Sequence, residues 1–216
     1  NDPKVTVPIE KGSIVGEVGL ISGRPRGATV RAGVDSIMVE VSRTAALKLM
    51  ASVPAARAAV TRISVERQLL QLFGSGLVAA DLEEVMASSE ILTVRAGESI
   101  ITEGDAGEDI YVIRLGSMIV EKTVGGKPVF LSYLPAGSYV GEMALIGGGR
   151  RTATVKAAIK SEVIKLQGAS FRRLLDAKPR LLERARADMA KRQEVNAFVE
   201  SRKDSFTTTT FIFIIT

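Results

Sequence analysis

The chain contains no histidine, no cysteine and no tryptophan. Each absence removes a class of chemistry. Without cysteine there is no disulfide, no thiolate nucleophile and no sulfur ligand for zinc. Without histidine there is no imidazole base and no nitrogen ligand. A metal could be held only through oxygen, and none is expected. The lack of cysteine fits a reducing compartment, so the expected location is cytoplasmic. No apolar run approaches the ~20 residues that cross a bilayer, so no membrane span is expected. The opening Asn1-Asp2-Pro3-Lys4 is not a signal peptide.

Of the 216 residues, 46% are hydrophobic and 25% charged, which excludes a mainly disordered chain and suits one large or two small domains. The net charge of +5 favours anionic partners, and it matters only if the basic residues converge on a site.

A repeat organises the chain. Gly12-Ser13-Ile14-Val15-Gly16-Glu17-Val18-Gly19-Leu20-Ile21 stands 125 positions before Gly137-Ser138-Tyr139-Val140-Gly141-Glu142-Met143-Ala144-Leu145-Ile146. The register continues without a gap. Arg26-Gly27-Ala28-Thr29-Val30 meets Arg151-Thr152-Ala153-Thr154-Val155, and Ser36–Val41 meets Ser161–Leu166. Pro54 meets Pro179, and Arg67-Gln68 meets Arg192-Gln193. Such a repeat marks two copies of one domain.

The second copy reads as complete. Short apolar runs between Ile91 and Leu166, punctuated by glycine and aspartate, predict a β-sandwich or barrel. Helical patterns flank it, one over Ala80–Met86 and one from about Ser170 to Phe198 with a break before Pro179. The first copy lacks everything equivalent to about Leu82–Gly125, so the chain is expected to begin inside its first β-domain, as a fragment would. A linker helix is expected over Pro54–Phe73, broken by Gly74-Ser75-Gly76. The expected organisation is residues 1–73 as the C-terminal half of a first domain plus linker, 74–203 as a complete second domain, and 204–216 as a tail. Ser205–Thr216 is uncharged and rich in β-formers, which fits either a non-native extension or a strand that pairs with an exposed edge.

The repeated segment carries the chemistry. Gly141 leaves room for a ligand to approach the backbone. Glu142–Ile146 can form one helical turn whose free N–H groups face an anion. Glu142 is acceptor-only when ionised, which suits a sugar hydroxyl. Arg151 can present a planar fork to a phosphate. A phosphate on arginine and a ribose on glutamate describe a nucleotide clamp. A lone Gly-Glu is often only a turn, but both charged residues recur at one separation in both copies.

This segment resembles the phosphate-binding cassette of cyclic-nucleotide-binding domains, and the tandem arrangement resembles the regulatory subunit of cAMP-dependent protein kinase. The resemblance also covers Gly97-Glu98, Ile100-Ile101, Glu103–Gly107, Ile110–Ile113 and Gly116. It implies an α+β, mainly β fold: a cyclic-nucleotide-binding β-roll or jelly roll with flanking helices, the first copy truncated. Gly141, Glu142 and Ala144, with Met143 between them, match the helix start, and Glu142 the ligand of the ribose 2′-hydroxyl. Arg151 matches the arginine on the cyclic phosphate, followed by Thr152 and Ala153. In the first copy these positions are Gly16, Glu17, Gly19, Arg26, Gly27 and Ala28. Gly19 departs from the family's commoner alanine. Thr152 is associated in the family with tolerance of cGMP, although threonine there is also an ordinary β-former. The family covers the base with an apolar or aromatic side chain, for which Phe73 and Phe198 are candidates as well as core residues.

The implied ligand is cAMP or cGMP, with no metal. The implied role is a regulatory module acting on an effector protein or a domain outside these residues, with a homo-oligomer open. A transcription-regulator type would need a helix-turn-helix after the long helix, and only a short stretch follows Phe198, so no DNA contact is expected from this chain. A ligand-free scaffold is the other alternative. No nucleophile–base constellation is present, so no enzyme is expected.

Overall fold

Residues 9–22, 29–74 and 76–202 are described by the structure, a computed structural model. The chain divides into two units, Asn1–Arg67 and Gln68–Thr216. The boundary therefore falls inside the linker helix, not at the Gly74–Gly76 break. The last turns of that helix explain the shift. Leu69 and Phe73 are buried, and the Phe73 ring packs against Tyr139 and Phe171 of the second unit.

Among the described residues the first unit forms three helices: α1 (Glu17–Ser22), α2 (Arg43–Ser52) and α3 (Pro54–Phe73), the last continuing into the second unit. Ser42 caps α2 by accepting from the Ala45 N–H. Half a β-roll is expected here, yet the described residues of this unit form no strand. The segment corresponding to Ser161–Leu166 has no regular structure and is solvated, with Ile37 fully exposed and Val39 87% exposed. The reason is hydrogen bonding. A helix closes its backbone bonds within itself, whereas a strand needs a neighbour on at least one edge.

In the second unit those neighbours exist. A 3₁₀ turn at Ala79–Leu82 leads into α4 (Glu83–Ala87). Eight strands follow: β1 (Glu90–Val94), β2 (Ser99–Ile101), β3 (Ile110–Leu115), β4 (Ser117–Val124), β5 (Lys127–Pro135), β6 (Tyr139–Val140), β7 (Thr154–Ala157) and β8 (Ser161–Leu166). Between β6 and β7 lies α5 (Glu142–Gly147), and after β8 come α6 (Gly168–Ala177) and α7 (Pro179–Ser201). The strands form two antiparallel sheets, ordered β1-β8-β3-β6 and β2-β7-β4-β5. The mainly β roll with flanking helices is therefore present in this unit. β8 is bonded on both sides, by β1 and β3, and Val163, Ile164 and Leu166 are fully buried. The core joins both sheets through Val94, Ile101, Ile113, Met118, Val155 and Val163.

The helix break anticipated before Pro179 is there. Lys178 leaves the helical region, with φ −129° and ψ 81°, as the clash with a following proline ring favours, and Pro179 starts α7 without needing its missing N–H. α6 buries Phe171, Leu174 and Leu175 on one face, while α7 buries Leu181, Ala185 and Val199. The three first-unit helices begin 125 residues before α5, α6 and α7 respectively.

The β3–β4 turn depends on Gly116. Its φ is +83°, and a Cβ there would lie 2.8 Å from Ser161 Cβ and 2.9 Å from the Lys160 carbonyl oxygen. Gly116→Ala should therefore cost at least ~1–3 kcal/mol. Urea unfolding should show a lower midpoint at unchanged slope; an unchanged midpoint would show that the turn adapts.

Candidate functional site

β6 is followed by Gly141, whose φ of +104° turns the chain into α5. A Cβ at this position would stand 2.4 Å from the Asp109 carbonyl oxygen and 2.8 Å from Arg151 Nη1, so only glycine fits. The next side chain, Glu142, is completely buried. Its Oε1 accepts from Arg192 Nη1 at 2.6 Å, and its Oε2 is buried without a hydrogen-bond partner. Burial pushes the Glu142 carboxyl above its ordinary range, and the Arg192 guanidinium opposes this. The site thus holds an acceptor oxygen aimed away from solvent with no donor to meet it. Such an atom is costly unless a ligand supplies the donor.

Arg151 is the complementary group. It is 7% exposed, and its Nη1 and Nη2 donate to the carbonyls of Gly141 at 3.1 Å and Asp109 at 2.8 Å. Among the described residues no carboxylate lies within ion-pair distance of it. Burial lowers its pKa, but from so high a starting value that the charge persists in neutral solution. A buried cation fixed by neutral carbonyls is prepared for an anion. Asp109 also accepts the Gly168 N–H through its carboxylate at 3.0 Å, which ties this loop to the start of α6.

The sequence-selected residues of the second copy thus come together. Gly141, Glu142 and Arg151 form the centre, and Ala144 and Ala153 are buried beside it. The Thr152 hydroxyl meets Met143 Sδ at 3.4 Å, and the Thr152 carbonyl accepts from Lys122 Nζ at 3.0 Å. In the first unit Gly16 has a left-handed φ of +91°, Glu17 is 3% exposed, and Gly19 lies in α1. Arg26, Gly27 and Ala28 lie outside the described residues, as does the 204–216 tail. Phe73 is 6% exposed, its ring held by Tyr139 and Phe171, so it serves the core; Phe198 is 51% exposed, with Arg202 over its ring.

Arg192, Tyr139 and Lys122 were missed as site residues. Arg192 reaches in from α7 to Glu142, and Arg67 makes the same contact with Glu17 in the first unit, also at 2.6 Å. The signal was in the repeat, which pairs Arg67 with Arg192 as it pairs Glu17 with Glu142. Lys122 had no such signal. It joins Glu103, Glu200 and the Thr152 carbonyl, so that β4 holds the far end of α7 beside the cassette. Among the described residues no cluster of acidic side chains is placed to hold a metal ion, and no helix is long and apolar enough to cross a membrane.

Residues 91–178 match the family model of the cyclic nucleotide-binding domain. The chain is 30% identical over 167 residues to a cAMP-dependent protein kinase regulatory subunit of Mucor circinelloides, covering 77% of this chain and 38% of that protein. It is 33% identical over 118 residues to a cAMP-activated global transcriptional regulator of Escherichia coli, covering 54% of this chain and 56% of the relative. Among solved structures, the regulatory domain of Toxoplasma gondii protein kinase A, co-crystallised with cAMP, aligns with a TM-score of 0.54 at 26% identity. That alignment covers 80% of this chain and 66% of the other. The chain therefore spans roughly two fifths to three fifths of the length of these curated relatives.

Removing Arg192 leaves the buried Glu142 charge without a cation. Arg192→Ala should push the Glu142 pKa further up. A raised carboxyl favours the folded state below the unfolded-state pKa, and that advantage is lost as pH rises through the folded value. The variant's deficit should thus be about 2 kcal/mol near pH 8 and shrink towards pH 4. Chemical unfolding at several pH values checks this; a deficit independent of pH would mean that Glu142 is not the group affected.

Proposed function

We propose that this chain, whose residues 91–178 form a cyclic nucleotide-binding domain, is a regulatory module that binds cAMP or cGMP at the Arg151 site and passes the binding on to an effector protein or domain outside these residues. One observation carries the reading. Two buried polar groups of opposite demand stand in one cassette: a guanidinium without a carboxylate and a carboxylate oxygen without a donor. A cyclic phosphate satisfies the first and a ribose 2′-hydroxyl the second. Thr152, next to Arg151, is the position at which cGMP could be tolerated alongside cAMP.

The output runs through α7. Arg192 holds Glu142, and Lys122 holds both Glu200 and the Thr152 carbonyl, so occupancy of the cassette and the placement of α7 share partners. A ligand with different affinity for two placements shifts their populations. The organisation proposed is a partial first copy over 1–73 and a complete second copy over 74–203. Its support is the repeat and the common start positions of three helix pairs. The first copy would not bind alone, because the strands that wall the second site have no counterparts there among the described residues. The likeness to the E. coli transcription regulator favours a second reading. In it the same module drives a DNA-binding domain that lies outside this chain.

Calorimetry with cAMP and cGMP tests the proposal, with one nucleotide per chain expected. Arg151→Ala removes one partner of a buried charged contact, so affinity should fall by more than ~30-fold. Glu142→Ala should weaken cAMP more than its 2′-deoxy analogue. Absence of saturable binding in folded protein would refute the module, and equal losses for both ligands would remove Glu142 from the ribose.

A further inference from the structure

α7 reaches the cassette through three side chains. Asp188 Oδ2 accepts from the Tyr139 hydroxyl at 2.7 Å. Arg192 divides its fork, Nη1 donating to Glu142 Oε1 and Nη2 to the Tyr139 carbonyl at 2.8 Å. The third contact, Glu200 with Lys122 at 3.0 Å, differs in kind, because the Glu200 side chain is 60% exposed.

Lys122 stands where an apolar residue is expected. Alternate residues of β4 share a face, and its companions there, Met118, Val120 and Val124, pack inward. The Lys122 side chain is only 11% exposed. Its ammonium has three donors and three partners: Glu103 Oε1 at 3.3 Å, Glu200 Oε1 at 3.0 Å and the Thr152 carbonyl at 3.0 Å. One cation thus faces two carboxylates, one more than neutrality needs. The two are held differently. Glu103 Oε2 accepts from the Thr123 N–H at 2.7 Å, and the Glu103 N–H donates to the Thr154 hydroxyl at 3.0 Å, so Glu103 is fixed to β4 and β7. Glu200 is mostly solvated. It can leave without stranding the lysine charge.

Position decides what could replace it. The Arg151 guanidinium points to Asp109, where α6 closes the cassette: Gly168 donates to the Asp109 carboxylate, and a Cβ on Gly168 would lie 2.7 Å from the Glu108 carbonyl oxygen. Thr152, the next residue, leads away from α6. Its carbonyl meets Lys122 in the other sheet, and its hydroxyl meets Met143 Sδ. A nucleotide held by Arg151 and Glu142 therefore has the Thr152 side in which to place its base. Guanine presents two acceptors, O6 and N7, on one edge, whereas adenine presents N7 beside an N6 amino donor. An ammonium suits the first edge and meets a like donor on the second.

We propose that Lys122 is a specificity-determining residue that reads the base: it exchanges Glu200 for the O6–N7 edge of guanine, keeps Glu103, and so favours cGMP over cAMP while releasing the end of α7. This deepens the cyclic-nucleotide reading of the same site and rests on it.

Calorimetry with cGMP, cAMP and cyclic inosine monophosphate (cIMP) tests it. cIMP carries the guanine oxygen but no 2-amino group, so a loss shared by cGMP and cIMP cannot come from Thr152 meeting that amino group. Lys122→Met should lower affinity for cGMP and cIMP by about tenfold, the scale of one hydrogen bond to a charged group, and for cAMP by less than about twofold. Lys122→Arg should keep the preference. Glu200→Ala removes the competitor from an exposed position and should raise cGMP and cIMP affinity by about threefold, within the range of an exposed ion pair, with cAMP unchanged. Equal changes for all three ligands overturn the proposal, since a merely structural lysine would not tell one base from another. Should Lys122→Met fail to fold, Glu200→Ala decides alone, because it leaves Lys122 and Glu103 in place. If the wild type binds no cyclic nucleotide, the reading of the site falls and the base role with it. If it binds all three and the variants leave their ratios unchanged, only the role of Lys122 falls.

Discussion

A fully buried carboxylate, Glu142, is the constraint around which the second unit is arranged. Taking that charge out of water is expensive, and a nearby cation offsets part of the cost. The cation comes from Arg192, fifty positions away in the chain, so α7 must lie across the cassette for the site to exist. The turn that aims Glu142 inward requires Gly141, because Asp109 and Arg151 crowd any side chain there.

Arg151 is organised on the opposite principle. Its positive charge is held by two carbonyl oxygens and not by a carboxylate, so its position is set while its charge is left unspent. A phosphate can therefore be met without first breaking an ion pair. Preorganisation of this kind keeps the ordering cost of binding low. Asp109 links the same arrangement to α6 through its carboxylate, and Lys122 links it to the end of α7, so the surrounding elements share partners with the cassette.

The two units make a controlled comparison of what local sequence can do. The helices α1 to α3 start in register with α5 to α7, and an arginine pairs with the buried glutamate in both units. The β segments do not follow. Ser161–Leu166 buries four of its six residues, whereas the matching residues 36–41 are solvated. Helices complete their hydrogen bonds with residues four away, but strands depend on distant segments.

Much of this was legible in the sequence. The repeat, the strand-length runs, the linker helix and the break before Pro179 followed from periodicity and punctuation, which are local signals. The cassette residues Gly141, Glu142 and Arg151 were legible because two copies kept them while other positions drifted. Arg192 was half legible, a repeated residue with no assigned task. What the sequence by itself determined is therefore the parts and their chemistry. Only the tertiary structure decided that Arg192 divides its fork between Glu142 and Tyr139, that Asp188 reaches the Tyr139 hydroxyl, and that Phe73 belongs to the second unit's core. These facts depend on where α7 and the end of α3 come to rest, which long-range packing sets and no local pattern encodes.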